Sequence, residues 1–294
     1  MKRNWIVACI FMMTMVSMAN TDFRYWTLAS GETFQAELEL YDPETDTAYL
    51  NLSEDEQITY SLEDFSSIDS AWLLEWAKFT LDLEEMIAEM DGTFAHYQYE
   101  GYDYISDFYV YTPSKHAENQ KLPMLILFHP SGRGARYVLR TMQAAEELDL
   151  IVVSSDSFRN ESDTSESDRI FRDLLPVIES TVPHDPARLF MGGASGGAMR
   201  AFRYSYTIDR PWAGILSNGG WLGGLRFHHH PYPPMRVAMV NGSSDRSANF
   251  WVDPDLKVLE ARGCSVNVFA FEGAHQIAPT DAQIEALEWL IYGD

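Results

Sequence analysis

Residues 188–202 read RLFMGGASGGAMRAF, an apolar run that meets a cluster of small residues. The apolar run predicts a strand, and the residues after the cluster predict a helix. Within the cluster, Gly193-Ala194-Ser195-Gly196-Gly197 matches the pattern G-x-S-x-G. Small neighbours at a sharp strand-to-helix turn let a serine side chain project without clashes, so the stretch predicts an exposed and reactive Ser195.

Short apolar runs alternate with segments of helical periodicity on both sides of this stretch. The predicted strands lie at 108–111, 123–128, 150–153, 189–191, 213–216, 236–240 and 266–271. The predicted helices cover 142–148, 169–181, the residues from the glycine cluster to about 206, and a last segment from Thr280, where Gln283 completes a capping-box pattern. Residues 160–168 are predicted to form a polar loop. This alternation predicts an α/β fold, a mostly parallel sheet with helices on both faces.

A nucleophilic serine needs a base, and the base needs an acid that orients it. Asp245 follows the strand at 236–240, and His275 follows the strand at 266–271. Both lie beyond the carboxyl ends of predicted strands, where α/β sheets build their sites. The chain order serine, acid, histidine is the order expected after such a turn. Asp253 and Asp255, predicted to lie in the same loop as Asp245, remain alternatives for the acid.

Acyl transfer also needs N–H donors for an oxyanion. Gly196 is predicted to supply one, because it follows the nucleophile. The loop after the strand at 123–128 begins with His129, Pro130 and Ser131. Pro130 has no N–H, so Ser131 is the second predicted donor. His129 is predicted to support the loop rather than to take part in the chemistry.

The segment from Trp221 to Tyr232 is predicted to line or cover the cleft, with Trp221, His229 and Tyr232 as candidate substrate-binding residues. Residues 228–230 are three consecutive histidines, which could serve as alternative bases or as metal ligands. Side chains of adjacent residues diverge and seldom converge on one ion, so the sequence predicts no metal site. The serine mechanism needs no cofactor.

Residues 22–80 predict a small β unit ahead of this sheet. Along Thr33–Leu40, Phe34, Ala36, Leu38 and Leu40 share one face, as in a half-buried strand. Residues 24–27, 47–52 and 58–60 predict further strands separated by polar turns, which together indicate a small barrel. Residues 71–90 have helical spacing and are predicted to bridge to a second domain at 92–294.

Residues 1–19, MKRNWIVACIFMMTMVSMA, have a basic start, an apolar stretch and a small-x-small end. This pattern predicts a cleaved signal peptide, a secreted or periplasmic location and no membrane span after cleavage, with an uncleaved anchor as the alternative. The net charge of −23 argues against nucleic acid and anionic lipid as partners. Only Cys264 would remain after cleavage, so no intrachain disulfide could form.

The residues from about Phe94 to the end resemble the α/β-hydrolase fold, and within it the secreted esterases related to polyhydroxybutyrate depolymerases and feruloyl esterases. The carrying stretches are PMLILFHPSGRG, HDPARLFMGGASGGAM, VNGSSD and GAH. The resemblance implies a serine hydrolase acting on a small or polymer-linked ester. Two features depart from the family: His129-Pro130 stands where His-Gly is typical, and the disulfides often found there cannot form. The alternatives are a peptidase or thioesterase with the same triad, or a non-catalytic binding protein.

The small β unit is similar to the Sla-homology domain, an SH3-like module. The carrying stretches are RYWTLASGETFQAELELY, AYLNL and ITYSLEDFSSID. The resemblance implies that this unit binds a peptide or an envelope component rather than taking part in catalysis.

Overall fold

The computed structural model of the chain describes residues 7–8, 24–42, 45–53, 56–74, 90–114, 120–160 and 162–293. The chain divides into two compact units, one within Met12–Glu89 and the other containing Met90–Asp294. The predicted signal segment lies outside the described residues except for Val7–Ala8, a two-residue strand, β1. Among the helices that the structure describes, none is long and apolar enough to cross a bilayer.

The first unit contains a four-stranded antiparallel meander made of β2 (Arg24–Thr27), β3 (Thr33–Asp42), β4 (Thr47–Ser53) and β5 (Glu56–Ser61). Trp26 lies fully buried in its core. The β3–β4 register shifts between Leu38 and Leu40, and Tyr41 beyond the shift is buried. Such a bulge interrupts the simple alternation that the sequence predicts. The SH3-like resemblance stays a prediction.

Residues 67–74 continue the first unit as a helix, and Leu73 on it is fully buried. The predicted bridging helix, residues 71–90, is therefore helical over its first four residues. Residues 75–89 lie outside the described part of the chain.

The second unit is built on a large sheet. Its strands are β6 (Thr93–Glu100), β7 (Ile105–Thr112), β8 (Met124–Phe128), β9 (Ile151–Ser155), β10 (Leu189–Ala194), β11 (Gly214–Asn218), β12 (Arg236–Gly242) and β13 (Ser265–Phe271). In the described residues the order is β1-β6-β7-β9-β8-β10-β11-β12-β13. The strands from β9 to β13 in this order pair in parallel, whereas β1, β6 and β7 add antiparallel pairs at one edge. The predicted mostly parallel sheet is confirmed.

Five helices are described in the second unit, namely α1 (Gly134–Glu147), α2 (Thr164–Thr181), α3 (Gly196–Thr207), α4 (Arg246–Ala261) and α5 (Thr280–Tyr292). Apolar residues of α2 and α3 share one core with Ile215 of β11. The preceding residue, Gly214, faces the other side, because neighbouring residues of a strand alternate. A Cβ on Gly214 would lie 2.7 Å from Leu290 of α5. Helices therefore cover both faces, as predicted.

Two helix starts differ from the predictions. Helix α2 begins at Thr164, inside the predicted loop 160–168, because the Asp163 side chain accepts from the N–H groups of Ser165 and Glu166. Helix α1 begins at Gly134 rather than Met142. Its first N–H donates to the Asp156 carboxylate, a contact that depends on the tertiary fold.

Helix α5 is not capped as predicted. Its N-cap is Pro279, which lies before Thr280, and no side chain caps it. The side chain of Gln283 donates to the carbonyl of Ala278 instead of closing a capping box.

The segment predicted as a loop around Asp253 and Asp255 is helix α4.

Candidate active site

Ser195 stands at the junction of β10 and α3 with φ 51° and ψ −119°. A non-glycine residue in the positive-φ region costs about 1–3 kcal/mol, so the surrounding structure must hold it there. One such restraint is the Ser195 N–H, which donates to the carbonyl of Asn218 at the end of β11, 2.9 Å away. The strained turn presents the half-buried side chain at the carboxyl edge of the sheet.

The glycines of the motif are required by close backbone approach. A Cβ on Gly197 would collide with the carbonyl oxygen of Phe128 at the end of β8. A Cβ on Gly193 would collide with the backbone of Gly197 and lie 2.7 Å from the same Phe128 oxygen. Backbone atoms cannot rotate away as side chains can, so these two positions explain the G-x-S-x-G spacing.

His275 links Ser195 to Asp245. Its Nε2 lies 2.9 Å from the Ser195 Oγ, and its Nδ1 lies 2.7 Å from Oδ2 of Asp245. The carboxylate accepts a hydrogen bond from the Nδ1–H group, so the proton stays on Nδ1 and the Nε2 lone pair faces the serine hydroxyl. The structure thus brings together the three side chains that the sequence nominates as nucleophile, base and acid.

Asp245 is held from two sides. Its side chain is 1% exposed, and its Oδ1 accepts from the N–H groups of Ser247 and Ala248 at 3.1 and 3.0 Å. These bonds make Asp245 the N-cap of α4. The helix therefore fixes one carboxylate oxygen while the other orients His275, so a single residue couples a structural cap to the site.

The two predicted oxyanion donors differ in availability. Gly196 is the first residue of α3, where backbone N–H groups lack partners inside the helix. The N–H of Ser131 instead donates to His129 Nδ1 at 3.0 Å. The next N–H, from Gly132, donates to the His129 carbonyl at 3.2 Å. The predicted role of Ser131 is thus not supported, because its N–H is already bonded within its own loop.

His129 is a support of that loop, which agrees with its predicted role. Burial, together with the smaller effects of Arg133, Arg136 and Arg140, lowers the pKa of His129 from 6.5 to about 4. A neutral imidazole has a lone pair at Nδ1 with which to accept from Ser131.

We expect His129 to make the protein less stable in acid. Between pH 6.5 and its folded pKa of about 4, the unfolded chain binds a proton that the folded chain does not. Its contribution is thus complete above pH 6.5 and is lost as the pH falls through this window, by roughly 3 kcal/mol at most. Chemical denaturation at pH 7 and 4.5 should show a smaller loss for His129→Gln than for wild type.

Asp156 has the opposite pH dependence, because burial raises its pKa to about 6. That contribution is present in both proteins and cancels in the comparison. If the free energy of unfolding falls as much between pH 7 and 4.5 in His129→Gln as in wild type, the predicted role of His129 is contradicted.

The candidate substrate-binding residues have different surroundings. The Trp221 ring centre lies 6.5 Å from that of His275, so its indole borders the site. His229 is exposed, and no hydrogen bond or ring contact is found for it in the described part of the chain. Tyr232 is 3% exposed and donates its hydroxyl to the Phe227 carbonyl. The ring of Tyr232 packs in the core, so the structure gives no support to its predicted substrate-binding role.

One alternative acid, Asp255, pairs with one histidine of the triplet, His228, whereas Asp253 is exposed. Asp255 is fully buried and accepts from the Leu222 N–H at 2.8 Å, and its other oxygen lies 2.7 Å from His228 Nε2. Burial raises the pKa of Asp255. This pair ties the segment that carries Trp221 to α4. No local sequence signal indicates the pairing, since the two residues lie in separate elements.

The other two histidines of the triplet do not join this pair. His230 stacks on Tyr206 with ring centres 4.4 Å apart, and His229 is exposed. Among the described residues, no group of three or more histidine, cysteine or acidic side chains is arranged to hold a metal ion.

Comparison with known proteins gives structural neighbours only. No protein-family model and no curated protein matches the sequence. A structure of S-formylglutathione hydrolase from Agrobacterium tumefaciens matches with a TM-score of 0.55 at 13% identity, covering 69% of this chain and 96% of that chain. The feruloyl esterase module from Clostridium thermocellum, solved with sinapinate, matches with a TM-score of 0.55 at 15% identity over 69% of this chain and 88% of that one.

A fluorophosphonate-binding serine hydrolase of Staphylococcus aureus matches with a TM-score of 0.53 at 13% identity, over 68% of this chain and 98% of that one. At these identities the likeness shows the fold and not the activity. Together with the strand order, it shows that the second unit has the α/β-hydrolase fold.

Proposed function

We propose that this chain, with its α/β-hydrolase fold, is a serine hydrolase that cleaves carboxylic esters through an acyl-enzyme intermediate. The observation that carries the proposal is the unbroken relay from the Ser195 Oγ through His275 to Asp245. A nucleophile, a base and an orienting acid within hydrogen-bond reach form the constellation that acyl transfer requires.

In this proposal, the Ser195 Oγ attacks the ester carbonyl while His275 Nε2 takes the hydroxyl proton. The tetrahedral oxyanion collapses, the C–O bond to the alcohol breaks, and His275 returns the proton to the leaving alkoxide. Water then attacks the acyl-enzyme by the same route, which releases the acid and restores Ser195. The Asp245 carboxylate keeps the proton on Nδ1 and stabilises the imidazolium in both halves.

Esters are the favoured substrate class because the neighbours named above include an esterase and other hydrolases with this fold. A peptidase on the same relay would have to expel an amine, a poorer leaving group than an alcohol. A thioesterase is the nearer alternative, since thiolates leave readily. A non-catalytic binding protein has no need for a serine held in a strained turn against a histidine.

A substrate panel tests the reaction class. We expect the enzyme to hydrolyse short-chain p-nitrophenyl esters, whereas the matching p-nitroanilides should react at least ~100-fold more slowly in kcat/KM, a gap of about 2.7 kcal/mol. Matched acyl thioesters form the third arm. Faster turnover of the anilides would reassign the chain to the peptidases, and faster turnover of the thioesters would reassign it to the thioesterases.

We also propose, on the sequence pattern alone, that residues 1–19 direct the chain out of the cytoplasm and that the first unit binds a peptide or an envelope component. The acidic composition agrees with a substrate that is not a polyanion.

A further inference from the structure

Position 196 is the variable residue of the G-x-S-x-G motif, and here it is glycine for a reason that the motif does not supply. A Cβ on Gly196 would collide with Oδ1 of Asn160 and would lie 2.9 Å from its Nδ2. The Asn160 carboxamide therefore fills the space beside the Gly196 Cα, next to the N–H predicted to bind an oxyanion. Asn160 belongs to the loop after β9. The two donors predicted from the sequence, Gly196 and Ser131, lie instead in α3 and in the loop after β8.

The backbone around Asn160 is anchored on both sides of the site. Its N–H donates to the carbonyl of Pro130 in the loop after β8, at 2.8 Å. The preceding carbonyl, that of Arg159, accepts from the Arg200 guanidinium of α3 at 2.7 Å. Residues 131 and 159 also form an isolated antiparallel bridge. The loop that carries Asn160 is thus tied both to the loop after β8 and to α3, the helix that follows Ser195.

The Asn160 side chain is available to bind a ligand. It is exposed, and within the part of the chain that the structure describes its carboxamide has no hydrogen-bond partner. The second donor is expected in the loop after β8, but residues 130–132 of that loop have no unbonded backbone N–H group. Pro130 lacks an N–H, and those of Ser131 and Gly132 are bonded to His129.

We infer that the Asn160 carboxamide is the second oxyanion donor, acting with the Gly196 N–H in place of the Ser131 N–H. A 180° turn about χ2 exchanges the two ends of the carboxamide and presents Nδ2 to the substrate oxygen. Asn160 then donates one hydrogen bond to the oxyanion formed when the serine attacks, and releases it when the carbonyl re-forms. This inference depends on the proposed ester hydrolysis and names a further catalytic residue for it.

Two variants of Asn160 test the inference. Asn160→Ala should lower kcat on p-nitrophenyl esters about 10²–10³-fold with little change in KM, because the lost bond belongs to the transition state. Asn160→Asp keeps the size and shape but places a carboxylate beside the oxyanion at neutral pH. It should be at least as impaired as Asn160→Ala, which a purely structural role would not produce.

The controls separate this inference from the proposed function. Thermal unfolding must show that both variants fold as wild type does. The esterase proposal stands if wild type hydrolyses esters and Ser195→Ala does not. If Asn160→Ala then stays within about threefold of wild-type kcat, the inference about Asn160 is overturned. Full activity of Asn160→Asp would overturn it as well.

Discussion

Replacing Ser195 with alanine is expected to abolish ester hydrolysis, with a fall in kcat of about 10⁶-fold. The hydroxyl oxygen forms the bond to the acyl group, and nothing else on the relay can do so. His275 Nε2 lies 2.9 Å from that oxygen, so the base loses the atom that it activates. The measurement is steady-state hydrolysis of p-nitrophenyl acetate and butyrate by purified protein.

Folding should survive this substitution. The Ser195 side chain makes no capping bond to α3, and its backbone N–H to Asn218 remains in alanine. The matched control is Ser244→Ala, an exposed serine one residue before Asp245, which should keep wild-type activity and stability. If Ser195→Ala folds and still turns over at more than a hundredth of the wild-type rate, the nucleophile is a different residue.

Replacing Asp245 with asparagine should lower kcat by about 10⁴-fold while the fold is largely retained. The Oδ1 atom caps α4 through Ser247 and Ala248, and an asparagine side chain can keep that cap. The other end would then present an NH₂ group to His275 Nδ1. The histidine would shift its proton to Nε2, where it can no longer act as a base toward Ser195.

Two comparisons separate the roles of Asp245. Asp245→Ala should show the same loss of activity together with a loss of about 1 kcal/mol in unfolding free energy, because the cap also disappears. Asp255→Asn alters the buried partner of His228 and should lower the free energy of unfolding. It should lower kcat far less than Asp245→Asn does, since Asp255 lies against Leu222 and His228 rather than His275. A larger fall in kcat for Asp255→Asn than for Asp245→Asn would contradict the assignment of the acid.

The strands that lie inside the sheet could be predicted from the sequence. The core of β8 is a continuous apolar run because both of its faces are covered, and all its residues are buried. Strand β6, which lies between the two-residue strand β1 and β7, has no such run, and Thr93–Glu100 mixes polar and aromatic residues. Its extended state comes from pairing with β7, which a local pattern does not show.

Helix α4 was missed for a different physical reason. Asp253-Pro254 is a strong local signal for a turn, yet Pro254 lies inside the helix. Burial of Leu259 favours the helix despite the lost backbone bond. The buried Asp255 adds hydrogen bonds to Leu222 and His228. Helix α2, in contrast, begins with a signal that the sequence does contain, Asp163 followed by Glu166.

The candidate site could be predicted where chemistry coincides with strand ends. Ser195, Asp245 and His275 each follow a parallel strand, so the sheet itself brings them to one edge. Two other predicted site residues have partners for which the sequence gives no signal. The Ser131 N–H donates to His129 within its own loop, and the ring of Tyr232 packs in the core. The sequence around Asn160 contains no motif that indicates a catalytic role. Only the folded structure shows that its carboxamide lies beside Gly196.

Covalent labelling tests the central claim most directly. Wild-type protein would be treated with a fluorophosphonate probe, digested and analysed by mass spectrometry, with Ser195→Ala treated in parallel. A phosphonyl adduct on Ser195, absent from the variant, is the predicted result, because only a serine activated by His275 attacks phosphorus rapidly. An adduct on another serine, or no adduct on a protein that hydrolyses esters, would contradict the account.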